Sequence, residues 1–143
     1  MKTLSSIQNP EIKKLRLLFQ KTKERKKQNL FVIEGEREIE KALKGGYLLE
    51  SIFIHEAAEH SFKIIISQSK VSNIFLLSSS IFEYLSIRSG SEKIIAIAQS
   101  KTHKLEDLIL YETSIILVIE APEKPGNIGA IFRTAAAAKI DAV

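Results

Sequence analysis

Short apolar runs, separated by polar segments with helical spacing, recur along this chain at Leu30–Ile33, Leu48–Ile54, Ile74–Leu77, Ile94–Ala98 and Ile115–Ile119. Runs this short and this apolar suit strands buried on both faces of a sheet, and the segments between them supply the covering helices. Asn9-Pro10-Glu11 reads as a helix start: Asn caps, Pro takes the first position, and an acid meets the positive end of the helix dipole. Ile12, Leu15, Leu18 and Phe19 follow with helical spacing, and the basic run from Lys21 to Lys27 is expected at or just after the end of that helix. Glu36 to Lys44 predicts a second helix, with Ile39, Ala42 and Leu43 inward and Gly45-Gly46 ending it. Residues 60–70 are weakly helical, and Ser78–Ser80 offer a cap for a helix through Leu85. This βαβα order predicts an α/β layer sandwich.

The sequence divides near residue 100. Residues 101–113 are polar and read as a linker between an α/β domain, 1–100, and a segment, 114–143, that opens with the most apolar run. That segment reads as strand, loop (Glu120 to Asn127) and Ala-rich helix to about Lys139, with another strand beginning at Asp141-Ala142-Val143. One strand–helix–strand start cannot cover both faces of its own sheet, so the natural protein is expected to continue beyond Val143.

Charge is unevenly placed along the chain. Residues 1–27 carry nine Lys/Arg and two acids, a net of +7, whereas the remainder nets −3. A cluster of one sign can face a polyanion or simply be a solvated helix face. On the first reading the candidate phosphate contacts are Lys13, Lys14, Lys21, Lys23, Arg25, Lys26 and Lys27, with Arg37 on the next helix. No apolar run approaches the roughly 18 residues of a membrane span, the N-terminus lacks a secretory core, and the absence of cysteine fits a cytoplasmic protein. His55, His60 and His103 have no paired ligand spacing, so no metal site is expected.

The loop after Ile119 holds the residues most suited to chemistry. At about 100° per residue, Gly129, Ala130, Ala136 and Ala137 lie within roughly 60° of Arg133, and Ile128, Ile131 and Ala135 fall on the opposite face. Arg133 then projects from a Gly/Ala surface that a phosphate can approach closely. Gly126 and Gly129 bracket Asn127 at a helix N-terminus, at the carboxyl end of a strand, where open α/β sheets bind ligands. The same residues also fit an ordinary helix start, with Asn127 as cap and Arg133 solvated, and pattern alone leaves both open. A dinucleotide fingerprint and a lysine-containing phosphate loop are missing. Gly126-Asn127-Ile128-Gly129 matches the G-x-x-G of KH domains, but that loop joins two helices and here an apolar strand precedes it.

Pro125-Gly126-Asn127-Ile128-Gly129-Ala130-Ile131-Phe132-Arg133-Thr134-Ala135 resembles the first motif of the SpoU (TrmH-like) methyltransferases, P-G-N-x-G-x-x-x-R-x-A after a hydrophobic strand. Asn9-Pro10 and Phe31-Val32-Ile33-Glu34-Gly35-Glu36-Arg37-Glu38-Ile39, with Ala42-Leu43, resemble the substrate-binding domain that precedes the catalytic domain in many members, a domain similar to the ribosomal protein L30e fold. The resemblance implies an L30e-like domain followed by the first β-α unit of a truncated trefoil-knot domain. It implies S-adenosylmethionine as methyl donor, transfer to a ribose 2′-hydroxyl of tRNA or rRNA, and a homodimer formed through the knotted domain. Arg133 and Asn127 match the motif residues: the arginine helps deprotonate the hydroxyl together with an RNA phosphate, and the asparagine lines the site. A guanidinium alone is a poor base, so the phosphate link is chemically needed. No cofactor-binding residue is expected within this span, which is therefore expected to be inactive by itself. Glu34 matches a family position in a structural or RNA-positioning role. Two departures stand out: Lys139 replaces a common glycine, and Ser89 to Lys93 lack the Pro-Gln-Gly pattern of relatives. The alternative is a non-enzymatic RNA-binding module of the L30e type, which accounts for residues 1–98 alone.

Overall fold

The computed structural model describes residues 1–85 and 92–143, so the departure at Ser89 to Lys93 lies largely outside the described residues. The chain forms two compact units, Met1–Lys101 and Thr102–Val143.

The first unit runs β1 (Lys2–Leu4), α1 (Pro10–Gln20), α2 (Thr22–Gln28), β2 (Leu30–Glu34), α3 (Glu36–Lys44), β3 (Leu49–His55), α4 (Lys63–Ser69), β4 (Ile74–Leu77), α5 (Ser79–Leu85) and β5 (Ile94–Gln99). The strands make one sheet in the order β1-β4-β3-β5-β2, parallel from β1 to β3 and antiparallel on both sides of β5. Alternate residues supply two cores, one on each face. Phe53, Phe75, Leu77, Ile95 and Ile97 pack with Ile12, Leu15 and Leu18 of α1 and with Ile81, Phe82 and Leu85 of α5. Ile52, Ile54, Ile94, Ala96 and Ala98 pack with Ile39 of α3 and Ile65 of α4. The expected α/β layering is therefore a mixed sheet with helices on both faces.

Local chemistry sets the element ends. The Asn9 side chain accepts from the Glu11 amide at 2.9 Å, with Pro10 in the first turn of α1. α3 stops where Gly46 takes φ 71°, which lets the Tyr47 amide reach Ala42 O at 2.9 Å and the Gly46 amide reach Leu43 O. At the start of α5 the Ser79 amide donates to Glu56 Oε1 at 3.1 Å, a distant carboxylate acting beside the serines that the sequence suggests as caps.

Two elements differ from the sequence expectation. The basic run is itself a helix, α2, joined to α1 through the extended residue Lys21 and ended by Asn29 at φ 54°. Lys2–Leu4 adds a parallel edge strand beside β4, burying only Leu4.

In the second unit residues 102–113 are exposed throughout, with one 3₁₀ turn at Leu105–Asp107. The strand expected at Ile115–Ile119 is reduced to a single parallel bridge, Ile116 to Ala142. The reason is the lack of a partner: the Leu117 amide donates to Ala142 O and the Asp141 amide to Ile115 O, while Ile115, Ile116 and Val118 stay half or more exposed. Helix α6 spans Pro125–Ala137, beginning before Asn127 rather than after it, because Pro125 can occupy the first helical position without losing a hydrogen bond.

Candidate nucleic-acid interface

The basic segment is built by two helices with different jobs for their charges. Lys23, Lys26 and Lys27 are exposed on α2 at helical spacing i, i+3, i+4, so their ammonium groups share one face. Lys13 on α1, Lys21 at the junction and Arg37 on α3 are exposed as well. Two of the predicted contacts are engaged inside the protein. Lys14 Nζ pairs with Glu50 Oε1 at 2.5 Å, linking α1 to β3. Arg25 donates to Leu18 O at 2.7 Å, to Phe19 O at 3.1 Å and to Thr22 Oγ1 at 2.7 Å, which satisfies the last carbonyls of α1. Arg25 is thus a helix-end clamp, a duty that the charge pattern alone does not signal.

Beside this face lies a cavity of about 690 Å³ along the outer margin of β2, lined among others by Phe19, Arg25, Phe31, Glu34, Lys41 and Tyr47. Phe31 and Tyr47 meet edge to face with centroids 5.5 Å apart. Glu34 Oε1 is buried without a hydrogen-bond partner among the described residues. The sequence gives no signal for this cavity, whose walls come from four separate elements. Arg16 is a further cation absent from the predicted set; its guanidinium lies 4.4 Å over the Tyr84 ring.

His55 is buried, its Nδ1 accepts from the Ala57 amide at 3.1 Å, and its ring meets Phe82 edge-on. Among the described residues no group of acids and histidines could hold a metal, and no helix is long and apolar enough to cross a membrane.

The helix geometry of the second unit matches the expected faces. Ala135 is buried, Ile128 and Ile131 are half-buried, and Arg133 is exposed on the other side. A Cβ added to Gly129 would stand 3.5 Å from Arg133 Nη1, so the guanidinium folds back over a glycine. Asn127 is exposed within the first turn, its amide donating to Lys124 O at 3.0 Å, and Lys124 occupies the cap position. Asn127 is therefore not the N-cap, and its side chain is free of that duty. Lys139 adopts φ 55°; the Ile140 amide reaches Ala135 O at 3.0 Å and the helix ends there. As for S-adenosylmethionine, residues 121–127 are exposed throughout and no unpartnered buried polar atom lies among the described residues of this unit, so these residues do not by themselves form a pocket that fits it.

The MRM3-like substrate binding domain matches residues 9–96. The chain is 32% identical over its whole length to the 23S rRNA (guanosine(2553)-2′-O)-methyltransferase RlmP of Bacillus subtilis, of which it covers 54%. A crystal structure of an RNA 2′-O ribose methyltransferase superposes with a TM-score of 0.79 at 34% identity, over 96% of this chain and 53% of that one. An AdoMet-bound rRNA methyltransferase from Sinorhizobium meliloti has the same fold, with a TM-score of 0.81 at 21% identity over 96% of this chain and 51% of that one. The chain thus spans about half the length of the relatives it matches. Its first unit carries an MRM3-like substrate-binding domain, and the chain belongs to the SpoU (TrmH-like) family of RNA 2′-O-ribose methyltransferases.

Proposed function

We propose that this chain supplies the RNA-holding domain and the first catalytic motif of an S-adenosylmethionine-dependent enzyme that methylates ribose 2′-hydroxyls in ribosomal RNA. The observation that carries this reading is the Pro125–Ala135 motif on α6, with Arg133 laid over Gly129 and clear of the packed Ile128 and Ile131 face. Residues 1–100 act as an L30e-like RNA-binding domain, 101–113 as the linker, and 114–143 as the opening of a trefoil-knot domain that dimerises and holds the cofactor through residues outside this span. Ribosomal RNA is favoured over tRNA because the Bacillus subtilis relative is named for 23S rRNA.

Within this reading the exposed lysines of α2 neutralise backbone phosphates and set the orientation of the RNA without reading its sequence. Arg133 grips a phosphate next to the target ribose, and its planar fork holds the 2′-oxygen in line while the proton leaves toward that phosphate. Asn127, on the first turn of the same helix, orients the target ribose or Arg133. The cofactor, when bound, supplies the electrophilic methyl group.

The test is methylation of ribosomal RNA by the full-length protein. A 2′-O-methyl group blocks alkaline cleavage at its nucleotide, so a protected position should appear with S-adenosylmethionine and be missing without it. Unprotected RNA after incubation with full-length protein, cofactor and intact ribosomal RNA would overturn the enzymatic reading.

A further inference from the structure

β2 forms one margin of the sheet and is bonded to β5 alone. The Gly35 amide donates to Ile94 O and the Ser100 amide to Asn29 O, so the ladder engages the odd-numbered positions of this stretch. The peptide groups of Leu30, Val32 and Glu34 therefore face outward, and among the described residues no strand pairs with them. A margin of unpaired N–H and C=O groups is a template for a further strand. These outward positions are symmetric about Val32, the middle residue of the five in β2.

The cavity of about 690 Å³ runs along this margin and takes its lining from both faces of the sheet. Leu18, Phe19 and Val32 belong to the core on one face, Phe31 and Ala42 to the core on the other. Its charged lining is two cations, Arg25 and Lys41, and two anions, Glu34 and Glu38, so the wall has no net charge to draw a polyanion. The charges are ordered along the margin. α3 carries Glu36 and Glu38 in its first turn, next to the Glu34 end of β2, and Lys41 and Lys44 in its last. Beyond that last turn Tyr47 meets Phe31, and Lys101 Nζ stands 4.7 Å over the Tyr47 ring. The Glu34 end is thus predominantly acidic, Arg37 notwithstanding, and the Leu30 end basic.

We propose that β2 pairs antiparallel with β2 of a second copy of this chain, around a twofold axis at Val32. Val32 then exchanges N–H···O bonds with Val32 of the second copy, and Leu30 does so with Glu34 of the second copy. No shift of register is needed, because the outward positions are the same set read in either direction. On the α3 face Phe31 comes opposite Ile33 of the second copy, an aromatic beside a β-branched residue, which is a favourable cross-strand pair. Reversing direction sets the acidic end of one copy against the basic end of the other, so Glu38 faces Lys41 of the second copy. A parallel pairing sets like ends together instead. The same patch meets itself, which closes the contact at two copies. An extended peptide of another sequence bonds the same backbone groups without carrying the matching charge order, whereas a second copy carries it by symmetry. The contact is separate from the RNA-binding role and from the knotted-domain dimer proposed above, and rests on neither.

The test follows sedimentation equilibrium and amide hydrogen exchange of residues 1–143 from low micromolar to submillimolar concentration. A monomer–dimer equilibrium should appear. The outward amides of Leu30, Val32 and Glu34 should exchange more slowly as concentration rises, while those of Phe31 and Ile33, already bonded to β5, should not change. Val32→Pro removes a donor that β5 does not use, and should weaken association at least about tenfold. Should that variant melt early, the exposed pair on α3 decides instead. Glu38→Lys sets like charges across the axis and should weaken association, and adding Lys41→Glu to the same chain should bring it back. A protein that stays monomeric throughout overturns the proposal. So does a dimer in which the Leu30, Val32 and Glu34 amides exchange as they do in the monomer, which assigns association to another surface, such as exposed Val118 and Phe132 of the second unit. A loss in Glu38→Lys that Lys41→Glu fails to reverse overturns the antiparallel pairing.

Discussion

Arg25 Nη1 lies 2.7 Å from the carbonyl oxygen of Leu18, reaching from the middle of α2 to the last turn of α1. It also meets Phe19 O, and its other terminal nitrogen holds Thr22 Oγ1. The α1–α2 corner is thus closed by a cation that the charge pattern alone would assign to RNA. Arg25→Gln should destabilise the first unit by about 1–3 kcal/mol, the usual cost of leaving polar groups without a charged partner. Arg25→Lys should recover little, because one ammonium cannot reproduce the fork. Thermal melts decide; an unchanged melting temperature in the glutamine variant refutes the clamp.

Lys23, Lys26 and Lys27 have no such internal duty, since all three are exposed on one face of α2. Changing them together to glutamine should shift stability by no more than roughly 0.5 kcal/mol. If all three touch single-stranded phosphates, the slope of log affinity against log salt should shrink by roughly 2. A slope that does not move would remove α2 from the RNA contact surface.

The prediction for Arg133 concerns the full-length protein. Its side chain is exposed over Gly129, on the side of α6 away from Ile128 and Ile131. Arg133→Ala should therefore melt within roughly 0.5 kcal/mol of the parent, yet methylate about a hundredfold or more slowly in single turnover. Arg133→Lys should stay slow, for want of a planar two-pronged contact. Parental rates in the alanine variant would exclude Arg133 from the chemistry.

Lys139 sits at φ 55°, a region that costs a side-chain-bearing residue about 1–2 kcal/mol. Glycine removes that strain but gains freedom in the unfolded chain, so Lys139→Gly should stabilise the end of α6 by a net of about 0.5–1 kcal/mol. The readout is amide exchange at Ile140, whose N–H bonds Ala135 O; exchange should slow. Faster exchange in the glycine variant would show that the lysine stabilises the turn by contacts outweighing the backbone strain.

How far the sequence reveals this molecule depends on which force shapes each part. Ile94–Ala98 and Ile74–Leu77 are legible because apolar runs report burial directly, and α1 and α3 because Ile12, Leu15 and Ile39 recur with helical period. α2 escapes because none of its residues is buried, so its helicity leaves no apolar period. β1 escapes because three residues with one buried leucine carry too little pattern. Ile115–Ile119 misleads in the opposite direction: apolarity signals a need for cover, whereas a strand needs a partner, and here only Asp141–Ala142 answers. At the site, Arg133 over Gly129 follows from helix geometry within one continuous segment. Lys14 and Arg25 do not, because charge counting cannot see Glu50 or the carbonyls of Leu18 and Phe19. The cleft along β2 is invisible for the same reason, since it joins residues from Leu18 to Tyr47 that meet only after folding.

The position of β5 carries a consequence for how the domain is made. It is the last strand of the first unit in the chain, yet it lies between β3 and β2, with Ile94 through Ala98 fully buried. On a ribosome, β2 and α3 emerge early and can form local helix and turn, but β2 has no strand to pair with until β5 arrives some sixty residues later. Both cores share that strand, so neither can close ahead of the other. The domain therefore waits, with its apolar strands open to chaperones or to other chains, until Gln99 has cleared the exit tunnel, and then closes in one cooperative step. A pause in translation before Ile94 would hold it in its most aggregation-prone form; a pause in the exposed stretch 102–113, once β5 has cleared the tunnel, would leave a finished sheet.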